Sequence, residues 1–403
     1  MRAIALATTL ALAACAPSRT TPSGAAPTCR AEPDEIRGVW LTNVDSDVLT
    51  SRERIAGGLD SLAARGVNTV FPVVWNKGWT LHPSEVMART FGAYARQDTA
   101  YVRRGREAGT APFDPLAAVV EEGHRRGMLV IPWFEFGFAT SYQAGGGHLL
   151  AAKPHWAARD RTGGLLTKNG FEWMNAFHPE VQAFMLDLVA EVVRRYDVDG
   201  IQGDDRMPAL PAEGDYSATT RELYARAHGG AALPDDPLDP AFVAWKARLL
   251  TDFGGRLYRT VKDADPCAIV SLSPSVWPWS RDEYLQDWLA WIRADQVDWL
   301  HPQNYRYEFP RYVTTLDEIV AAWRDAGGAR PDPRPGHAGR PRVRLAPGVL
   351  LKAGTRYNGP GYAVDAARLH RRLGLDGEAW FFYEGLFGRN RFVADSLRAT
   401  VYR

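Results

Sequence analysis

Short apolar runs alternate with helix-patterned stretches from Ile36 to the end of the chain, and this alternation constrains the fold more than any other feature. The apolar runs fall at 36–41, 67–75, 128–134, 198–203, 268–273, 298–304, 342–351 and 378–383. Helical spacing of apolar residues follows each, at 52–65, 113–126, 179–196, 240–262, 281–294, 315–325, 362–373 and 389–400. A parallel neighbour is reached only through a long crossover, usually a helix, so the pattern predicts an α/β fold with a parallel sheet. About eight such units predict a (β/α)8 TIM barrel with long βα-loop insertions, spanning 34–403. A doubly wound open sheet is the alternative, but no dinucleotide-type glycine fingerprint follows the first run. A chain of 403 residues that is 46% hydrophobic suffices for one barrel-sized core.

The N-terminus reads as address rather than fold. Met1-Arg2 is followed by a small, apolar run to Ala14, the pattern of a secretory signal and too short for a membrane span. Leu12-Ala13-Ala14-Cys15 resembles a bacterial lipobox, which makes residues 1–15 a lipoprotein signal with lipidation at Cys15. An ordinary signal with an incidental cysteine is the alternative. Ala16 after the cysteine suits the outer membrane, facing the periplasm, in a Gram-negative cell. Residues 16–33, rich in Ser, Thr, Pro and Ala, read as a flexible tether. The expectation is an exported protein whose membrane contact is a lipid anchor alone. Such a compartment permits a Cys29–Cys267 disulfide, and two free thiols are equally open. A net charge of +1 gives no electrostatic case for nucleic acid. No CxxC, HExxH or His-x-His spacing occurs, so no metal or other cofactor is expected.

Barrel enzymes place chemistry at the C-terminal ends of their strands. The fourth run ends at Asp204-Asp205-Arg206. Two adjacent carboxylates repel, which drives their proton affinities apart and is costly unless they bind or react. Capping the next loop, or pairing with Arg206, is the purely structural reading. Other strand ends bring Trp40, Trp75, Trp133, Glu135, Gln303, Asn304, Tyr305 and Glu384 towards the same mouth. Glycoside hydrolysis needs a protonated acid for the leaving oxygen and a second carboxylate to stabilise, attack or activate water. Asp204, Asp205 and Glu135 are therefore the expected catalytic residues, either as an Asp204–Asp205 pair or as Glu135 with Asp205. Trp40, Trp75, Trp133, Arg206, Gln303, Asn304, Tyr305 and Glu384 are the expected substrate-binding residues. The chain holds 14 Trp and 15 Tyr, and such rings stack on sugars, but they would equally fill a barrel top.

Several segments together resemble the glycosyl hydrolase-like 10 family of bacterial proteins. They are Ile36-Arg37-Gly38-Val39-Trp40-Leu41-Thr42, Gly66-Val67-Asn68-Thr69-Val70, Pro132-Trp133-Phe134, Val198-Asp199-Gly200-Ile201 running to Asp204-Asp205, and Pro302-Gln303-Asn304-Tyr305. The resemblance covers essentially everything from Ile36 onward. It implies a TIM barrel and hydrolysis of glycosidic bonds, with relatives that act on peptidoglycan glycan strands in the divisome. The family's Asp pair falls on Asp204 and Asp205, and its sixth-strand polar group on Gln303 and Asn304. Many relatives have Asn-Pro after the Trp-Phe of strand three, whereas this chain has Glu135-Phe136-Gly137. A role for Glu135 thus rests on position alone. The expected partner is an envelope polysaccharide, foremost peptidoglycan glycan. A catalytically idle carbohydrate-binding barrel serving as an envelope scaffold is the alternative, and a metal-dependent hydrolase or deacetylase a third.

Overall fold

The structure, a computed structural model, describes residues 29–107, 111–334, 336–388 and 392–403. Cys15, the lipobox and residues 16–28 of the expected tether lie outside the described residues.

The first strand, β1, is Ile36–Leu41, followed by β2 (Thr69–Pro72), β3 (Leu129–Val130), β4 (Gly200–Gly203) and β5 (Ile269–Leu272). Then come β6 (Trp299–Leu300, resumed at Gln303–Asn304), β7 (Arg344–Leu345, resumed at Gly348–Leu350) and β8 (Gly377–Phe381). Each strand pairs in parallel with the next, β3 reaching β4 through the Trp133–Gln202 bridge. The last strand pairs back onto the first, Ile36 opposite Gly377, and closes the ring. This is the (β/α)8 barrel expected from the alternation. Pro302 and Pro347 stand at the breaks in β6 and β7, where a ladder amide is missing.

The outer ring is α1 (Arg52–Ala63), α2 (Pro115–Arg125), α3 (Pro179–Arg195), α4 (Pro240–Ala264), α5 (Trp288–Arg293), α6 (Phe309–Asp325), α7 (Pro360–Arg372) and α8 (Phe392–Thr400). Their starts follow local chemistry. Ser51, Asp114 and Asp239 accept backbone N–H groups at their caps, and α2, α3, α4, α6 and α7 carry proline at one of their first two positions. Along α3, Val181, Phe184, Met185, Leu188 and Val192 share the buried face, the spacing of a helix packed on one side.

Two expected elements differ in the structure. The run 67–75 divides: Thr69–Pro72 enters the barrel, whereas Trp75–Asn76 pairs with Trp79–Thr80 in a hairpin. Lys77 and Gly78, with φ of 50° and 77°, form its two-residue turn, a backbone that glycine adopts freely. The stretch 281–294 is two short helices, Trp279–Tyr284 and α5, split at Leu285 with φ 60°. Asp287 then caps α5 by accepting from Ala290 N at 3.0 Å.

Trp40, Phe71 and Trp133 fill the barrel interior with His301 and Phe381. Trp40 Nε1 donates to Gln202 Oε1 at 2.5 Å, and Gln202 Nε2 donates to Ser271 Oγ at 2.9 Å, so this polar chain is satisfied inside the barrel. At the opposite, N-terminal end, Cys29 and Cys267 form a disulfide, which resolves the two open readings of these cysteines. Arg344 there donates to Pro33 O at 2.7 Å and Asp34 O at 2.8 Å, laying the N-terminal segment across the barrel floor. Among the described residues no helix is long and apolar enough to cross a membrane.

Candidate active site

At the C-terminal end of β4 the chain delivers Asp204 directly after its last strand residue, Gly203. The Asp204 side chain is 1% exposed, that of Asp205 30% and that of Arg206 12%. Trp133 Nε1 donates to Asp204 Oδ2 at 3.1 Å, and Arg206 N donates to Oδ1 at 2.9 Å. Gln286 Nε2 donates to the Asp204 carbonyl at 2.8 Å, so the left-handed Leu285 turns Gln286 inward to hold this segment.

The β3 end contributes Glu135. Gly137, at φ 47°, lets that loop run against the Arg206 backbone; a Cβ there would lie 2.1 Å from Arg206 O. Asn76, from the hairpin after β2, donates through Nδ2 to Glu135 Oε2 at 2.5 Å.

One guanidinium serves all three acids. Arg206 Nη2 lies 3.2 Å from Asp204 and 3.8 Å from Glu135, and Nη1 lies 3.2 Å from Asp205. Its Nε donates to the Glu135 carbonyl at 2.8 Å, and its plane stands 4.7 Å over the Phe171 ring. Burial raises Asp204 well above the usual carboxylate range, and the charges of Asp205 and Glu135 add to the rise against the pull of Arg206. Burial likewise raises Glu135, opposed by Arg206 and the Asn76 amide. Burial alone would lower Arg206, but the three carboxylates push it above its ordinary value. Three acids facing one cation leave surplus negative charge, so the cluster binds a proton more tightly than isolated carboxylates do.

Tyr305, at the end of β6, stacks on Phe381 with centroids 5.0 Å apart. Burial and the charges of Asp205 and Asp204 push its phenol well up, so the hydroxyl stays a donor. Gln303 Nε2 donates to Ser273 O at 3.1 Å on the same side of the barrel.

Other expected binding residues lie elsewhere. Asn304 turns outward and donates to Tyr312 O at 2.9 Å, because adjacent strand residues face opposite sides and Gln303 and Tyr305 hold the inner one. Trp40, Trp75 and Trp133 are 1%, 0% and 2% exposed, leaving no ring face for a sugar. Trp75 packs on Phe184 and donates to Gly137 O at 2.9 Å, outside the barrel. Trp133 instead positions Asp204. Arg206 binds the acids themselves. Glu384 lies on the short helix Tyr383–Phe387 and accepts from Ser46 Oγ at 2.9 Å; among the described residues it touches none of the three acids. Asn76, Phe171 and Gln286 complete the site; Asn76 is a strand-end position to which the sequence assigns no role. Asn76 followed an apolar run, whereas Phe171 and Gln286 carried no local signal.

Comparison with known proteins agrees with the barrel fold. Residues 35–331 match the family described as glycosyl hydrolase-like 10. The chain is 26% identical over 346 residues to the glycosyl hydrolase DigH of Escherichia coli K12, covering 76% of this chain and 74% of that one. It is 21% identical over 308 residues to the glycosyl hydrolase YngK of Bacillus subtilis, covering 67% of this chain and 54% of that one. Its fold is similar to the PgaB (BpsB) glycoside hydrolase domain from Bordetella bronchiseptica, with a TM-score of 0.62 at 16% identity over 91% of this chain and 98% of that one. It is also similar to the β-amylase catalytic domain of Paenibacillus polymyxa, with a TM-score of 0.60 at 11% identity over 92% and 99% of the two chains. With its barrel and its mouth-sited acids, the chain belongs to the glycosyl hydrolase-like 10 family and is a glycoside hydrolase.

Proposed function

We propose that the protein hydrolyses O-glycosidic bonds within an envelope polysaccharide, foremost the glycan strands of peptidoglycan, from a lipid anchor at Cys15. The observation that carries the chemistry is the single Arg206 guanidinium shared by Asp204, Asp205 and Glu135 at the barrel mouth. Of the three acids, Asp205 and Glu135 have side chains 30% and 14% exposed against 1% for Asp204, so these two meet the substrate. Burial raises the proton affinity of Glu135, which suits it to deliver a proton to the leaving oxygen as general acid. Asp205, facing the same space, stabilises the oxocarbenium charge or activates the attacking group. Asp204, closed off from substrate, is a positioning residue that fixes Arg206 and the start of the loop. The signal-like N-terminus with Leu12-Ala13-Ala14-Cys15 supports export and lipidation, and with them an envelope substrate.

The test is incubation of purified protein with denuded and with peptide-bearing glycan strands, reading new reducing ends. Wild type should generate them, and Glu135→Gln and Asp205→Asn should each lose about 10²–10⁴-fold in rate. No cleavage of either strand type by wild type, or equal cleavage by Asp205→Asn, sinks the proposal. Metabolic labelling with a fatty acid tests the anchor: label should be present on wild type and absent from Cys15→Ala.

A further inference from the structure

A line of aromatic rings runs along one wall of the mouth, and its two ends are open to solvent. Tyr142 meets Phe171 with ring centroids 5.2 Å apart, and Phe171 lies under the Arg206 guanidinium. Two residues earlier on the same hairpin, Asn169 Nδ2 donates to the Tyr284 hydroxyl at 2.9 Å. Tyr284 in turn meets Trp279 with centroids 5.2 Å apart. Tyr284 is buried and Phe171 partly buried, whereas Tyr142 and Trp279 are 46% and 45% exposed. Burial raises the Tyr284 phenol and the negative charge of Asp205 adds to the rise, so this ring is within electrostatic reach of the acid cluster.

The wall is fixed rather than adaptable. Lys168 Nζ lies 2.9 Å from Glu213 and 2.6 Å from Glu283, tying together loops that follow β3, β4 and β5. Leu210 N donates to Tyr284 O at 3.1 Å and Ala212 N to Glu283 O at 2.9 Å. Single exposed aromatics are ordinary on a protein surface. Two at opposite ends of one braced line, with Arg206 and Asp205 beside its middle, match an extended ligand.

We infer that Tyr142 and Trp279 are the end platforms of a cleft for a polysaccharide chain, each stacking on a pyranose ring on opposite sides of the bond that is cut. A pyranose presents an apolar C–H face that suits the electron-rich face of an indole or phenol. With a platform on both sides of the acids, the enzyme cuts inside a chain instead of trimming its end. This inference rests on the glycoside hydrolase reading of the acid cluster and adds the direction and length of its substrate.

The test uses glycan strands of graded length with wild type, Trp279→Ala, Tyr142→Ala and, as control, Tyr94→Ala, whose 63% exposed ring lies on the insertion after β2. Each platform variant should lose about three- to tenfold in kcat/KM on long strands. The loss should shrink as strands shorten to a disaccharide, and Tyr94→Ala should match wild type. Wild type should release mid-length fragments first. Losses equal at every length, no loss in either platform variant, or initial release of terminal units alone would overturn the inference. Calorimetric binding of long strands to Asp205→Asn, with and without Trp279→Ala, reads the platform without turnover. If wild type cuts nothing while Trp279→Ala still weakens this binding, the catalytic reading fails and the cleft stands. If binding is equal with and without Trp279, the cleft itself is refuted.

Discussion

Replacing Arg206 with methionine tests whether one cation is what lets three carboxylates share the mouth. Methionine keeps much of the stem and a soft contact with Phe171. It removes the guanidinium that stands 3.2 Å from Asp204 and Asp205 and 3.8 Å from Glu135. That side chain is 12% exposed, so solvent offsets little of the loss. Removing one partner of a buried ion pair costs about 3–5 kcal/mol, which is the expected drop in unfolding free energy near neutral pH. The drop should shrink in acid. Asp204 and Glu135 are already raised by burial, and without the opposing pull of Arg206 they rise further. The folded variant then holds protons that an unfolded chain, with carboxylates at about 4, has released. Stability falls as pH climbs through the raised values and is regained as pH falls towards the unfolded ones. Each proton held in excess changes the unfolding free energy by about 1.4 kcal/mol per pH unit. Urea unfolding of wild type and Arg206→Met at about pH 5 and about pH 7.5 measures the two differences. Equal differences at the two pH values would refute the shared-cation argument, because they would show that Arg206 contributes packing and not charge.

Three other perturbations reach different parts of the molecule. The Asn76 amide holds Glu135 down, so Asn76→Ala should raise Glu135 further and move the alkaline limb of kcat/KM to higher pH; an unmoved limb would remove Glu135 as the acid. Gly38→Ala would place a Cβ 2.6 Å from Phe71 Cε2 inside the barrel and should cost about 1–3 kcal/mol in urea unfolding, partly restored by Phe71→Leu in the same chain. Cys267→Ser opens the Cys29 bridge at the barrel floor and should cost about 2–5 kcal/mol of stability, read by urea unfolding, while glycan cleavage at the distant mouth is retained under native conditions.

The barrel was legible because strand and helix periods differ, and eight changes of period leave few topologies. The Asp204–Asp205 position was legible for the same reason, since a strand end in a barrel is a mouth position. Asn304 was misplaced because alternation fixes relative facing, not which residue faces in; Pro302 and the restart of β6 decide that. Trp75 was misplaced because an apolar run does not announce where a strand leaves the sheet, and the Lys77-Gly78 turn lies beyond the run's end. Gln286 was invisible: its inward turn depends on Leu285 in a left-handed conformation that leucine's side chain does not suggest. The aromatic line was legible only at Trp279, in the loop after the fifth run; its register with Tyr142 and Phe171 comes from tertiary contact between separate insertions.

The floor of the barrel fixes where the N-terminal segment leaves the domain. The disulfide and the Arg344 contacts fasten the N-terminal segment to the face opposite Asp205 and Glu135. With the anchor proposed at Cys15, the leash leaves from beneath, and however residues 16–28 are arranged it pays out no further than about 50 Å. For a protein so anchored, the mouth lies on the side of the barrel away from the tether, and the tether's length becomes a limit on which layer of the envelope it can work.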